Sequence, residues 1–222
     1  MNNLGKYIVV EGPDFSGKDT QAELLVSWLK KEGREVVFIR EPGTGWFGEQ
    51  LRATLLNKEN SLTAKTEMLL FMANRSQLLN EIILPSIEKG KIVVSNRDRL
   101  SSLAYQGYGR ELPLEMIKTI GDFVMEGKIP DLYLVLMLPF DEMLSRRPTS
   151  LPLDRIEQEM EKSLNKPSGD LLDRKEGGFY GRVLRGYKDF LKQNPLITTE
   201  FDGTLSREEI FSQIKAKVEK LF

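Results

Sequence analysis

The chain has 222 residues, 40% of them hydrophobic and 29% charged, which is enough to build one compact domain with a core and a cleft and too apolar for a disordered chain. Lys plus Arg number 32 and Asp plus Glu 33, so the formal net charge is -1 and no global field draws the chain toward a polyanion such as duplex nucleic acid. Cysteine and histidine are both absent, which excludes disulfides, zinc sites of Cys/His type, thiol nucleophiles and imidazole catalysis, and leaves acid/base work to carboxylates, Lys, Arg or Tyr.

In chain order, an apolar run at residues 7–10 opens the pattern and leads directly into a glycine-rich turn and a helical stripe at Ala22, Leu25, Val26 and Leu29. Similar short runs follow at residues 35–39, 91–95, 132–138 and 196–201, each too short for a helix and several rich in Val and Ile. Helical spacings lie between them at Leu78, Leu79, Ile82 and Ile83, at Met116, Ile120, Phe123 and Val124, and at Ile210, Ile214 and Val218. Gly33 and Gly90 stand where two of these helices should stop. Strands that read apolar on both faces and alternate with helices predict an α/β fold. Its parallel sheet would be covered on both sides, with ligands bound beyond the carboxyl ends of the strands.

No repeat or linker divides the chain, so residues 1–222 are expected to form a single domain. One stretch departs from the pattern: residues 147–178 carry Pro148, Pro152, Pro167 and Gly169 and only a short amphipathic element at Ile156, Met160 and Leu164. It reads as a lid insertion or as a plainly solvated one. The apolar runs are short and the N-terminus shows no signal segment, which predicts a cytoplasmic protein with no membrane partner.

The chemistry concentrates after the first strand, in Gly12-Pro13-Asp14-Phe15-Ser16-Gly17-Lys18-Asp19-Thr20. Strand, glycine loop and helix in this order make a phosphate-binding loop. Backbone N–H groups turn inward around phosphate oxygens, the helix N-terminus adds positive potential, and Lys18 can bridge the outer phosphates. Asp19 stands where such loops carry Ser or Thr to hold Mg2+. It is either a hard oxygen ligand itself or a helix cap, with the metal held otherwise. Phe71 and Arg75 are four residues apart, so a flat ring and a forked donor can meet one planar ligand such as a pyrimidine. Spacing alone fits a core Phe beside a surface Arg better.

Together these stretches resemble the thymidylate kinase family of P-loop nucleoside-monophosphate kinases. The likeness is carried by Glu11-Gly12-Pro13-Asp14 with Gly17-Lys18 and Thr20-Gln21, by Arg40-Glu41-Pro42-Gly43 with Gly48-Glu49 and Arg52, and by Leu70-Phe71-Met72-Ala73-Asn74-Arg75. It continues through Ser101-Ser102-Leu103-Ala104-Tyr105-Gln106-Gly107 and ends at Arg182-Val183 with Gly186-Tyr187. The resemblance implies a three-layer P-loop kinase fold with strand order 2-3-1-4-5, a mobile lid, a homodimer, ATP and dTMP as substrates and Mg2+ as cofactor. By the same resemblance, Lys18 holds the transferred group, Arg97 grips the acceptor phosphate, and Asp14 orients the acceptor side or the metal. Glu41, Pro42, Phe71, Arg75, Ser101, Ser102, Tyr105 and Gln106 would hold dTMP. Phe15 occupies a loop position where some members place an arginine, so the resemblance shifts that role to the lid, to Arg147, Arg155 or Arg174.

Departures from the family pattern cluster around the metal. Asn96 replaces the acidic residue usual before Arg97, and Asp98 replaces an aromatic or imidazole ring. Asp19 adds a charge and Asn96 removes one, which reads as a carboxylate moved from the strand-three side of the metal to the loop side. Two other readings remain open at this point: a P-loop kinase for another nucleotide, and a nucleotide-binding homologue with impaired catalysis. A nucleic-acid-binding module is disfavoured by the balanced charge and the lack of a basic aromatic stripe.

Overall fold

The computed structural model of the chain describes residues 5–57, 60–146 and 178–222. Five strands, β1 (Lys6–Glu11), β2 (Val36–Arg40), β3 (Ile92–Asn96), β4 (Leu132–Met137) and β5 (Thr198–Asp202), form one sheet in the order β2-β3-β1-β4-β5. All four pairings are parallel, as the sequence pattern predicts. Between and around the strands lie α1 (Lys18–Lys31), α2 (Gly45–Leu56), α3 (Ala64–Leu78), α4 (Leu84–Glu88), α5 (Arg99–Ser102), α6 (Leu114–Met125), α7 (Phe140–Ser145), α8 (Phe179–Gln193) and α9 (Arg207–Val218). A π-helical turn at Leu79–Ile83 joins α3 to α4, and another at Leu103–Gly109 continues α5.

The alternation of side chains along β1, β3 and β4 deals them to two cores. Tyr7, Val9, Val93, Tyr133 and Val135 face one core, which α3, α6 and α8 complete with Met68, Met72, Ile117, Val183 and Tyr187. Ile8, Val10, Val94, Leu132 and Leu134 face the other, completed by Leu25 and Leu29 of α1 and Ile210, Ile214 and Val218 of α9. The expectation of strands buried on both faces holds for these three. It fails for β2 and β5, which have one sheet neighbour each and are only partly covered. The fifth strand starts later than the apolar run predicts, because Leu196 lies in the preceding turn and is 95% exposed.

Register sets the site. Asn96 at the end of β3 pairs with Val10 of β1 on one side and Arg40 of β2 on the other, so the three chain exits into loops lie side by side. Helix α8 is locked against the π-helical turn at Leu103–Gly109: a Cβ on Gly186 would meet the Tyr108 ring at 2.8 Å and Ala104 Cα at 3.0 Å. Gly33 and Gly90 follow α1 and α4 with φ of 75° and 74°, the helix stops expected of them. Helix α6 corrects a detail. Of the stripe read from Met116, Ile120, Phe123 and Val124, Val124 is buried and Ile120 packs against the core, but Met116 and Phe123 stay exposed while Ile117, Gly121 and Met125 take the other buried positions. The helix is apolar on two faces, and the core takes only part of the stripe. The expected lid at residues 147–178 lies outside the described residues except for Gly178, the N-cap of α8.

Candidate active site

The loop after β1 turns sharply over the sheet. Gly12 has φ 149°, and a Cβ there would stand 2.4 Å from the Leu136 carbonyl oxygen of β4, so both conformation and space demand glycine. Gly17 caps α1, and Lys18, first residue of that helix, folds its ammonium back toward the Pro13 carbonyl at 3.4 Å and the Asp14 carboxylate at 3.8 Å. Burial and then the neighbouring Arg97 charge push Lys18 down to about 8, against the upward pull of Asp14, Asp19 and Glu11.

Arg97 leaves β3 in a left-handed conformation, φ 76°, which turns its side chain over the loop. Its guanidinium donates to Asp14 Oδ1 at 2.5 Å and to Ser101 Oγ at 2.8 Å, and it stacks over the Tyr105 ring at 5.2 Å. Asp14 Oδ2 accepts from the Tyr180 hydroxyl at 3.1 Å. Burial would raise the Asp14 carboxyl, but the Arg97 and Lys18 charges prevail and hold it below the ordinary aspartate range. Asp14 thus bridges the two cations that should meet phosphate.

The two departures from the family pattern touch. Asn96 Nδ2 donates to Asp19 Oδ1 at 2.6 Å, and this bond with the Lys18 charge outweighs burial to keep Asp19 ionised. The third departure, Asp98, is fully buried. It caps α5 through Leu100 N–H at 2.8 Å and accepts from the Tyr133 hydroxyl at 2.6 Å, while burial and Glu11 push it up to about 6. Asp98 therefore braces the turn that carries Arg97, and although it borders the cavity its carboxylate is taken up by Leu100 and Tyr133.

At the far end of the cleft, α3 presents Glu67, Phe71 and Arg75 at four-residue intervals, and all three line the wall. Arg75 is 1% exposed, which rules out a surface arginine. It donates to Glu41 Oε2 through Nε at 2.9 Å, to the same oxygen through a terminal nitrogen at 2.8 Å, and to Ser102 Oγ at 3.2 Å. Burial lifts Glu41 to about 7 even with Arg75 opposing it. Gln106 donates to Glu67 Oε1 at 2.6 Å, and Arg110 donates to Glu67 Oε2 at 3.2 Å. One cavity of about 770 Å³ runs from the loop to this end.

Of the residues singled out from sequence, Asp14, Phe15, Gly17, Lys18, Asp19, Thr20, Glu41, Pro42, Phe71, Arg75, Arg97, Ser101, Ser102, Tyr105 and Gln106 line that one cavity. Gly12, Pro13 and Ser16 are buried beneath the loop. Arg147, Arg155 and Arg174 lie outside the described residues. Three contributors escaped the sequence reading. Arg146 lines the cavity, anchored to Glu142 at 2.9 Å and to the Gly203 carbonyl at 2.8 Å. Glu11, beyond its place in the loop motif, is a buried hub for Asp98 N–H, Ser101 and Tyr187. Glu67 was signalled only by its four-residue offset from Phe71.

Comparisons with known proteins identify the family of the chain. A family model described as thymidylate kinase matches residues 10–173. The chain is similar to a thymidylate kinase of Kosmotoga olearia, 39% identical over 94% of this chain and 92% of that one. It is similar to one of Halothermothrix orenii, 38% identical over 96% of each. The fold is similar to the crystal structure of thymidylate kinase from Ehrlichia chaffeensis, with a TM-score of 0.75, 27% identity, and coverage of 97% of this chain and 99% of that chain.

Proposed function

The chain belongs to the thymidylate kinase family, and from that premise we propose which of its residues do the work. It is a nucleoside-monophosphate kinase that transfers a phosphoryl group from ATP to dTMP, giving dTDP. Such transfer needs in-line positioning and neutralisation of charge more than covalent help, so a chain without histidine is adequate.

Lys18 takes the transferred phosphoryl group, and Arg97 the acceptor phosphate. The observation that carries this reading is Asp14, which contacts both cations across the cavity that leads to Phe71 and Arg75. When phosphates enter, the cations exchange the Asp14 carboxylate for phosphate oxygens. Asp14 then serves as their organiser. Its two oxygens already serve Arg97 and Tyr180, which makes it a poorer metal ligand than Asp19. The base lies on Phe71 with its C4 carbonyl toward Arg75, Glu41 and Pro42 close that end, and Ser101, Ser102, Tyr105 and Gln106 flank sugar and base edge. Residues 12–20 wrap the ATP phosphates. The lid that the family resemblance implies would be carried by residues 147–178, with Arg147, Arg155 and Arg174 as its candidate arginines, almost all outside the described residues.

Mg2+ belongs with Asp19. Its carboxylate is a hard donor held in place by Asn96, and Asn96 Oδ1 is buried without a partner. Among the described residues no group of three or more His, Cys, Asp or Glu side chains that could hold a metal ion gathers, so phosphate oxygens and water would have to complete the ligand set. The cation would neutralise charge on the donor phosphates. Asp19→Ser, Asn96→Asp and the double variant should be compared for Mn2+ affinity by electron paramagnetic resonance in the presence of ATP. Partial recovery in the double variant is expected; strictly additive losses would argue against a shared metal position.

Exposed Leu69 on α3 and exposed Met116 and Phe123 on α6, two helices packed together, favour a homodimer through this face, and Phe123→Glu should then give monomers in sedimentation. No helix among the described residues is long and apolar enough to cross a membrane, in keeping with a single-domain cytoplasmic enzyme. The function is tested by ATP consumption with a panel of nucleoside monophosphates. Preference for another nucleotide, or binding without turnover, would overturn it.

A further inference from the structure

Glu67 has no place in the phosphoryl-transfer scheme, yet it lines the cleft beside Phe71 and bonds to two other residues of that wall. Its side chain is 16% exposed, and both oxygens are used: Oε1 accepts from Gln106 Nε2 at 2.6 Å and Oε2 accepts from Arg110 at 3.2 Å. A carboxylate offers only acceptors, so it admits one of the two orientations of the Gln106 amide. With its NH2 group committed to Glu67, Gln106 keeps an oxygen that accepts no bond from a described residue, on a side chain that lines the cleft. Arg75, two turns along α3 from Glu67, is a donor only.

We propose that Glu67 is a specificity-determining positioning residue, which fixes the Gln106 amide so that the cleft offers an acceptor beside the Arg75 donor and thereby selects 4-keto over 4-amino pyrimidines. Thymine and uracil carry an N3–H donor next to a C4 carbonyl acceptor and match that pair. Cytosine carries an N3 acceptor next to an amino donor and opposes both. A Gln106 amide free to rotate would give cytosine a donor for N3 at no cost. Held by Glu67, it leaves cytosine facing an unpaired acceptor in a largely desolvated site, where mismatched polar groups are costly. The inference rests on the base lying against Phe71, as in the proposed function.

The test is kcat/KM for dTMP, dUMP and dCMP in the parent protein, in Glu67→Gln, in Gln106→Met and in the double variant, with calorimetric affinities for the three nucleotides. In Glu67→Gln the dTMP to dCMP ratio should fall by about tenfold or more. The dTMP to dUMP ratio, which reads only the 5-methyl group, should hold, as should the KM for ATP. In the Gln106→Met background the Glu67 substitution should change the dTMP to dCMP ratio no further. Parallel loss of dTMP and dCMP activity in Glu67→Gln, or an effect on the ratio that persists without Gln106, would reduce Glu67 to a structural support and overturn the assignment. A parent protein with no preference for dTMP over dCMP would instead sink the reading of the base site, and the assignment with it. Should Glu67→Gln fold poorly, Gln106→Met alone decides: an unchanged dTMP to dCMP ratio refutes the role given to the amide.

Discussion

The two ends of the cleft manage charge in opposite ways. At the base end, Arg75 and Glu41 are each about as buried as core residues and bond to each other, and Gln106 has its partner in Glu67. Glu67 and Arg75 sit on α3 and Gln106 on the helical segment after β3, elements held by their packing, while Glu41 follows β2. At the phosphate end, Lys18 and Arg97 share the half-open Asp14, and Arg97 and Phe15 hold left-handed backbone conformations in loops. The base end is largely paired before a ligand arrives, with Glu41 Oε1 and the Gln106 oxygen left over, and on the proposed reading it selects by the groups that remain. The phosphate end keeps its cations on a counter-ion that a phosphate could replace. Selectivity would thus rest on polar groups held by their neighbours, and catalysis on charge that is only provisionally paired.

Substitutions should separate the two designs. Lys18→Ala is expected to lower kcat/KM by about 10^3-fold while leaving the thermal midpoint equal to or above the parent's, because a buried cation has been removed; a matching loss of stability would blur the contrast. Arg75→Met should do the reverse. It strands the Glu41 carboxylate and costs about 3–5 kcal/mol in denaturant unfolding. Glu41 binds its proton more tightly when folded, with a pKa of about 7 against an ordinary 4.5, so its contribution to stability declines as pH rises across that window. Without Arg75 the Glu41 proton would be held more tightly still, so the deficit of the variant should deepen as pH rises above about 7, and a flat profile there would show that the pair is not coupled.

Smaller effects sharpen the same contrast. Gly186→Ala drives a methyl into Tyr108 and the Ala104 backbone and should cost about 1–3 kcal/mol, with dTMP affinity hit harder than ATP affinity since the helical segment it displaces carries Tyr105 and Gln106. Least in size at neutral pH is the alkaline limb. Lys18, pushed down to about 8, loses its charge as pH rises through that value, so kcat/KM for ATP should fall about tenfold per unit above it. The dissociation constant of dTMP in the absence of ATP should change far less over the same range, and equal losses would tie the two ends together.

Much of this was legible before any coordinates. Apolar runs located β1, β3 and β4 because strands covered on both faces leave no polar positions to confuse the pattern. The loop from Gly12 to Thr20 was legible because phosphate binding by backbone demands glycine at defined places. Helix α2 was not, since it is only partly buried and shows no clean apolar stripe. Asp98 read only as a departure from the family pattern, because its partner Tyr133 is 35 residues away on β4 and no local pattern joins them. Met116 and Phe123 misled in the other direction, as an apolar stripe does not say which of two faces the core will take. Glu67 and Arg146 were visible as charges, but only the fold brings them to the cleft.

The wide turn at Leu103–Gly109 has an evolutionary corollary. It brings Ser102, Gln106 and Arg110 to the same wall at successive four-residue steps. Loss of a single codon there would let the segment rewind to about 3.6 residues per turn, and because one residue is about what separates the two windings, the chain on either side would keep its register. A lineage could thus tune the spacing of this wall by one small insertion or deletion, with every side chain of the phosphate loop untouched.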